Sequence, residues 1–420
     1  MSKYLPSVLL SFYFFTFMIG NIQYSYDRVV PQILFVSILN ILSLLYIVSK
    51  DNLDITFRIL QNSKVFLLFL GFITLSAISI TQAINIQESI VIFSQYLTLF
   101  FCFTSIFLLS KNLTGSYIKF FFSLIFISCA VESLPVLNVI LNKFIINGEP
   151  FLRSNDLSGF SANVNIISYS LVIKLPVLVY FAFKLNKRIL LPLVYLLIIS
   201  TSIVIITLLS RGAFLALVIS LSFIFIVVAI KDLKKNIKPT LFVITSILLS
   251  YLFVGEFVDK ADNTVQQRLE SIDINTDDAS INQRLSYYKA SFELIKSSPL
   301  IGIGIGNWKL VSIKYLNDTM SEYIVAGYAH NDFIQIAAEI GILGMLCYLM
   351  IFVIVTLNLL KGIFHNSNDY FIKVILLAMI IVFIIDSMLN FPISRPISYV
   401  FILFVLVSSI NLVDIVRDEK

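Results

Sequence analysis

From Leu5 to Val413 the chain is an almost unbroken series of apolar stretches, each about 20 residues long and separated by short polar breaks. A helix needs roughly that many apolar residues to cross a bilayer, and a soluble fold has no use for so many. Hydrophobic residues make up 58% of the 420 residues, charged ones 13%, and the mean hydropathy is +0.94. These features predict an all-α, polytopic integral membrane protein of about twelve transmembrane helices. Their expected positions are approximately 5–21, 29–49, 65–81, 90–109, 117–140, 161–183, 189–209, 212–230, 239–256, 332–360, 372–390 and 396–414. One division is forced by length. As a single helix, Ile189 to Ile230 would run about 63 Å, twice the hydrocarbon thickness, so it must fold back, and Ser210-Arg211-Gly212 is the polar break available. The apolar run after Lys3 resembles a signal peptide, but Phe17-Met18-Ile19-Gly20-Asn21 offers no small-x-small cleavage site, and the run reads as a retained first helix.

Lysine and arginine are distributed unevenly between the two sets of loops. One set, which includes both termini and the tracts Lys184 to Arg188 and Lys231 to Lys238, holds seventeen. The opposite short loops hold five: Arg28, Lys143, Arg153, Arg211 and Arg395. The positive-inside rule then puts both termini in the cytoplasm and the segment 257–331 outside, between nine spans in 1–256 and three in 332–420. That outer segment is the one extensive polar region. Leu285, Tyr288, Phe292 and Ile295 recur within it at amphipathic-helix spacing, a stripe suited to lying against a membrane surface.

The net charge of +5 is spread over interhelical loops without interleaved aromatics, which argues against a nucleic-acid partner. Cys102, Cys129 and Cys347 each lie inside an apolar run and imply neither disulfides nor metal ligands. With two histidines and few intramembrane acids, metal-assisted catalysis has little support, and neither a metal nor a cofactor is expected. In the predicted topology a set of polar residues converges on the outer face: Arg153, Asn163, Asn165, Arg211, Arg284, His330, Asn331, Asp332, Asp386 and Arg395. Guanidinium forks there suit a diphosphate, which they can hold bidentately, whereas the bland alternative for each arginine is a lipid headgroup or an acidic loop residue. Asp386 lies about one turn inside the eleventh span and needs a cation such as Arg211 or Arg395. Lys174, in the middle of the sixth span, needs a buried partner or must snorkel.

His330 directly precedes Asn331, a good N-cap, and the apolar run from Phe333, so it is expected where a helix dipole turns its positive end outward. His365 falls in a cytoplasmic loop and reads as a solvated residue. Gly302-Ile303-Gly304-Ile305-Gly306 has no βαβ context and reads as a turn between outer-loop helices. The sequon Asn112-Leu113-Thr114 falls on the cytoplasmic side and is discounted.

Several of these stretches together resemble the O-antigen ligase and polymerase superfamily. They are Gln283-Arg284-Leu285, Ser298 to Trp308, Ala329-His330-Asn331-Asp332-Phe333-Ile334-Gln335 and Glu339-Ile340-Gly341-Ile342-Leu343-Gly344. Upstream, Ser210-Arg211-Gly212-Ala213 is similar to that family's arginine hairpin, and Gly159 to Asn165 to its Gly and Asn motif. The resemblance spans 157–344. It implies a GT-C-like membrane glycosyltransferase that takes a glycan from an undecaprenyl-diphosphate carrier, with Arg211, Arg284 and His330 as the essential positions. It leaves the acceptor open among lipid A-core oligosaccharide (a ligase, the favoured reading), a second carrier-linked repeat unit (a polymerase) and a protein hydroxyl. It also implies a site facing the periplasm of a bacterial inner membrane, in contact with membrane lipids. The competing class is a twelve-helix transporter or flippase. Transporter sites lie near the bilayer midplane between repeats, whereas the polar groups here gather at one face.

Overall fold

A computed structural model describes residues 4–20, 29–50, 53–113, 117–149, 155–161, 163–185, 189–258, 279–316, 326–364 and 369–418. The protein is an all-α membrane protein, as lipid demands of a chain that must satisfy its backbone polar groups internally. Its helices are α1 (Leu5–Phe14), α2 (Val29–Lys50), α3 (Leu53–Asn62), α4 (Lys64–Ser79), α5 (Ile86–Lys111), α6 (Tyr117–Val139), α7 (Val164–Lys184), α8 (Leu191–Thr207) and α9 (Arg211–Val258). They continue with α10 (Ala279–Ser297), α11 (Trp308–Val311), α12 (Ile313–Leu316), α13 (Asp332–Ile340), α14 (Ile342–Phe364), α15 (Tyr370–Leu389) and α16 (Pro396–Asp418). Among the described residues nine segments are long and apolar enough to cross a membrane, and three shorter apolar helices, Leu5–Met18, Leu191–Thr207 and Pro396–Leu412, fall on the other expected spans.

The structure divides into two compact units. The first comprises Met1–Thr114, Ile274–Asn358 and Ser387–Asp414. In its membrane part α2 and α4 pack on α5, and α1 packs on both α2 and α5. Buried polar ties fix the register there: the Tyr13 hydroxyl donates to Asn40 Oδ1 at 2.7 Å, and Asn40 Nδ2 to Thr98 O at 2.9 Å. Unpaired, such groups would each cost a few kcal/mol in an apolar interior, about 1–3 by mutational measures. Helices α10 to α13 form a smaller assembly around Ala290, Leu294, Trp308, Leu316, Ala329 and Ala338, and α13 also meets α4.

The tenth apolar run differs from expectation. It does not form one helix from Asp332 but two, because Gly341 adopts φ +88° between α13 and α14. A Cβ there would fall 2.1 Å from Leu300 O, and one on Gly302, itself at φ +77°, 2.4 Å from Glu339 O. Only glycine permits this mutual approach. The resulting contact is stitched by Ile303 N–H to Ala338 O at 2.9 Å, Gly304 N–H to Glu339 O at 3.0 Å and Ile342 N–H to Pro299 O at 2.9 Å. The glycine run is a turn, as its context predicted, and the turn docks on the α13–α14 break. It is fastened to α5 as well, where Ser89 Oγ donates to Ile305 O at 2.6 Å and Asn307 Nδ2 to Ser89 Oγ at 2.8 Å.

Helix α10 packs Tyr287, Ala290, Leu294 and Ile295 against the α11–α13 assembly, while Leu285 and Phe292 of the predicted stripe remain exposed.

The second unit comprises Gly115–Asp273, Leu359–Asp386 and Ile415–Lys420. Helix α7 lies against α6, α8 and α9 and is the most enclosed of the long spans, with 72% of its apolar window buried. Helix α6 carries Pro135 and ends in a π-helical turn, Ile140–Ile146. The fold-back expected near Arg211 is present: α8 ends at Thr207, Leu209 takes φ +49°, and α9 begins at Arg211. Although α9 is helical over 48 residues, Phe214 and Tyr251 line the same cavity of about 460 Å³. A straight helix would hold them roughly 55 Å apart, so α9 doubles back between its two apolar halves.

Candidate active site

In the first unit the candidate centre is His330, one residue before the Asn331 cap. Asn331 Oδ1 accepts Ile334 N–H at 3.1 Å, which starts α13 as its sequence predicted. His330 itself takes φ +57°, a conformation costly for a residue with a Cβ. The surrounding structure holds it there. Gln335 Oε1 accepts Ala329 N–H at 2.9 Å, and the Tyr288 hydroxyl lies 3.3 Å from His330 O and 3.1 Å from Met388 O, with its proton available to either. The imidazole stacks on Tyr287 at 6.1 Å between centroids and meets the edge of Phe391 at 5.1 Å.

Nδ1 of His330 is buried and has no hydrogen-bond partner among the described residues, so packing orients the ring. Burial, then the charges of Arg284 and Arg395, push its pKa down to about 4. The shift is in the direction of the neutral imidazole expected from the sequence, and its causes are desolvation and the two guanidiniums. Arg284 projects half-buried from α10. Arg395 is buried, its guanidinium carbon 3.9 Å from the centroid of Phe391. Asp332 Oδ2 accepts Ile393 N–H at 3.1 Å, which binds the first turn of α13 to the segment carrying Arg395. The structure thus gathers His330, Asn331, Arg284 and Arg395 in one neighbourhood of the first unit.

The remaining predicted site residues fall in the range of the second unit. Arg211 opens α9, half-buried in its first turn. Asn163 caps α7, its Oδ1 accepting Asn165 N–H at 2.8 Å, so its side chain has a structural duty. Asp386 is buried near the end of α15. Arg153 and His365 lie outside the described residues. No group of three or more His, Cys, Asp or Glu among the described residues is arranged to hold a metal ion.

Residues 170–349 match the family model described as O-Antigen ligase. This stretch is an O-antigen ligase domain. No curated protein matches the chain. With the membrane-spanning helices, the domain supports a membrane protein of the O-antigen ligase and polymerase type. Of the predicted site, Arg211, Arg284, His330 and Asn331 fall inside the O-antigen ligase domain, whereas Arg153, Asn163, Asn165, Asp386 and Arg395 fall outside it.

Two buried acids of evident importance escaped the sequence reading. Glu339, in the last turn of α13, accepts Trp308 N–H at 3.0 Å and lies 3.5 Å from Gln335 Nε2, and burial pushes its pKa up to about 7. Gln335 thereby links Glu339 to the backbone beside the histidine. Glu132 of α6 is the partner that Lys174 required: the two form an ion pair with side chains 2% and 3% exposed, and Ser170 Oγ donates to the other carboxylate oxygen at 2.7 Å. The signal for both was present, since a lone acid in an apolar run must be paired or shielded.

Proposed function

We propose that the chain transfers a glycan from an undecaprenyl-diphosphate carrier to an acceptor hydroxyl at the periplasmic face of a bacterial inner membrane, with both termini cytoplasmic and lipid A-core oligosaccharide as the acceptor. The observation that carries this reading is a buried histidine, its pKa lowered by burial and two arginines, placed directly before the cap of the short helix α13. The anomeric carbon of such a donor already bears a good leaving group. The acceptor oxygen attacks that carbon, its proton passes to His330, and the C–O bond to the diphosphate breaks with the electron pair leaving on the phosphate oxygen. A histidine protonated at neutral pH could not accept that proton; one with a pKa near 4 is free to do so.

Arg284 and Arg395 are assigned to the charge that develops on the leaving diphosphate, and Arg211 keeps the essential role that the resemblance implies. Asn331 is assigned a supporting role through the cap that sets the histidine, and Arg153, Asn163, Asn165 and Asp386 stay as candidate substrate-binding positions. The test is donor binding and single-turnover transfer by His330→Ala in lipid. Donor binding should survive while transfer falls about 100- to 10,000-fold, the usual worth of general-base assistance. Transfer at the wild-type rate would refute the assignment. Glycan profiling of a deletion strain separates the acceptors: free lipid-linked polymer beside bare lipid A-core marks a ligase, and core capped by one repeat marks a polymerase.

A further inference from the structure

Within the first unit a second cavity, of about 210 Å³, opens between α5, the glycine turn and α13. Its lining includes Glu88, Tyr96, Lys309, Tyr328, Gln335 and Glu339. Glu88 and Lys309 pair at 2.7 Å with side chains 25% and 39% exposed, so they stand toward solvent, while Glu339 lies deep. Tyr328 stacks on Phe391 at 4.0 Å, and the same ring also meets the imidazole of His330 at 5.1 Å. The cavity wall and the candidate base therefore share the segment 328–330.

The lining has a definite chemical preference. Two carboxylates against one ammonium repel a phosphate, and an apolar chain would strand buried polar groups. A hydroxyl-rich ring suits it, because carboxylates and an amide oxygen accept from hydroxyls, the ammonium and the amide NH₂ donate to them, and a tyrosine face covers the C–H side. The volume corresponds to several waters or one six-membered ring, and is below the roughly 300–1,000 Å³ of sites for larger ligands.

We propose that this cavity is a subsite for one neutral sugar ring of the glycan substrates, with Glu88, Gln335 and Glu339 as its hydroxyl acceptors and Lys309 as a donor. This rests on the glycosyl-transfer reading above. The ring belongs either to the acceptor or to the donor glycan, and the two differ in what a narrowed cavity does to turnover.

The chain carries a single tryptophan, Trp308, whose backbone N–H donates to Glu339 in the cavity wall while its indole N–H donates to Ser291 Oγ at 2.8 Å, so its emission senses a displacement of Glu339 without reference to activity. Full-length protein in lipid nanodiscs is titrated with methyl glycosides of glucose, galactose, rhamnose and N-acetylglucosamine. At least one should give a saturable emission change with a dissociation constant on the order of millimolar. Gly327 also lines the cavity, and a Cβ there meets nothing within 4 Å, so the backbone accepts a side chain and Gly327→Leu adds bulk at the cavity wall. That variant should bind the glycoside at least about tenfold more weakly, and Glu88→Gln, which keeps the shape, several-fold more weakly. An increased KM for the acceptor alone assigns the ring to the acceptor, and an increased KM for the lipid-linked donor alone assigns it to the donor. The proposal is overturned if no glycoside changes the emission, if both variants bind as the wild type does, or if neither KM moves in Gly327→Leu. His330→Ala keeps the two readings apart. Wild-type transfer by that variant refutes the transfer reading whatever the titration shows, whereas loss of transfer with a silent titration refutes only the subsite.

Discussion

Replacing Lys174 by methionine removes one half of an ion pair enclosed by α6 and α7, and the consequence can be worked out from its burial. Both side chains are 3% exposed or less, so neither charge is solvated by bulk water, and Ser170 would remain as the donor to Glu132. Removing one partner of such a pair costs about 3–5 kcal/mol, because the other charge stays buried without compensation. For a unit of this size that corresponds to a fall in melting temperature of roughly 6–20 °C. Replacing both residues, Glu132→Leu with Lys174→Met, removes the desolvation cost along with the attraction and should recover most of the loss, or exceed wild type by about 1–4 kcal/mol. Thermal unfolding in nanodiscs, followed by helical circular dichroism, reads both. If Lys174→Met melts with the wild type, or the double variant melts below the single one, the pair is not what holds these spans together.

Gly341→Ala should destabilise the α10–α13 assembly and blue- or red-shift Trp308 emission, since a Cβ would lie 2.1 Å from Leu300 O; unchanged emission and stability would contradict the close approach. Arg211→Lys keeps the charge but loses the planar fork, and should impair transfer strongly while the protein still folds into membranes, with normal activity arguing against a bidentate phosphate contact. The acid limb of the transfer-rate profile assigned to His330 should fall near pH 4 rather than near 6.5, because its pKa is lowered in the folded protein. The linked stability has the same sign: the unfolded chain binds the extra proton between pH 6.5 and 4, so the contribution of His330 is fully present above 6.5 and is lost as pH falls through 4. A profile that breaks near 6.5 would show a solvated histidine instead.

Hydropathy located the spans because lipid imposes one simple requirement, a long apolar helix, and even the fold-back at Arg211 followed from thickness alone. The histidine's place before its cap was equally legible, since capping is a local property of Asn331 and the residues after it. What could not be read was anything set by a distant partner. Nothing adjacent to Lys174 in the sequence marks Glu132, which arrives from another helix at the same depth. The second face of α10 is of the same kind: periodicity gave the stripe through Leu285 and Phe292, which stay exposed, but not the face where the assembly formed by α11 to α13 engages Ala290 and Leu294.

The break at Gly341 connects these observations to catalysis. Had the tenth run formed one helix, His330 would stand at the end of a span and share whatever freedom the membrane end of that span has. Instead α13 is a separate nine-residue helix fixed at both ends, by Asp332 to the Ile393 amide at its start and by Glu339 to the Trp308 amide at its finish. A strained φ at His330 survives only where such contacts over-determine it. Catalysis that relies on positioning rather than on a cofactor needs this kind of rigidity, because an ångström of displacement in a reacting group can cost about a hundredfold in rate. The glycine turn, which contributes no side-chain chemistry, is then what fixes the geometry of the proposed base: it anchors α13 to α5 of the first unit and lets a helix of only a few turns hold an imidazole in place.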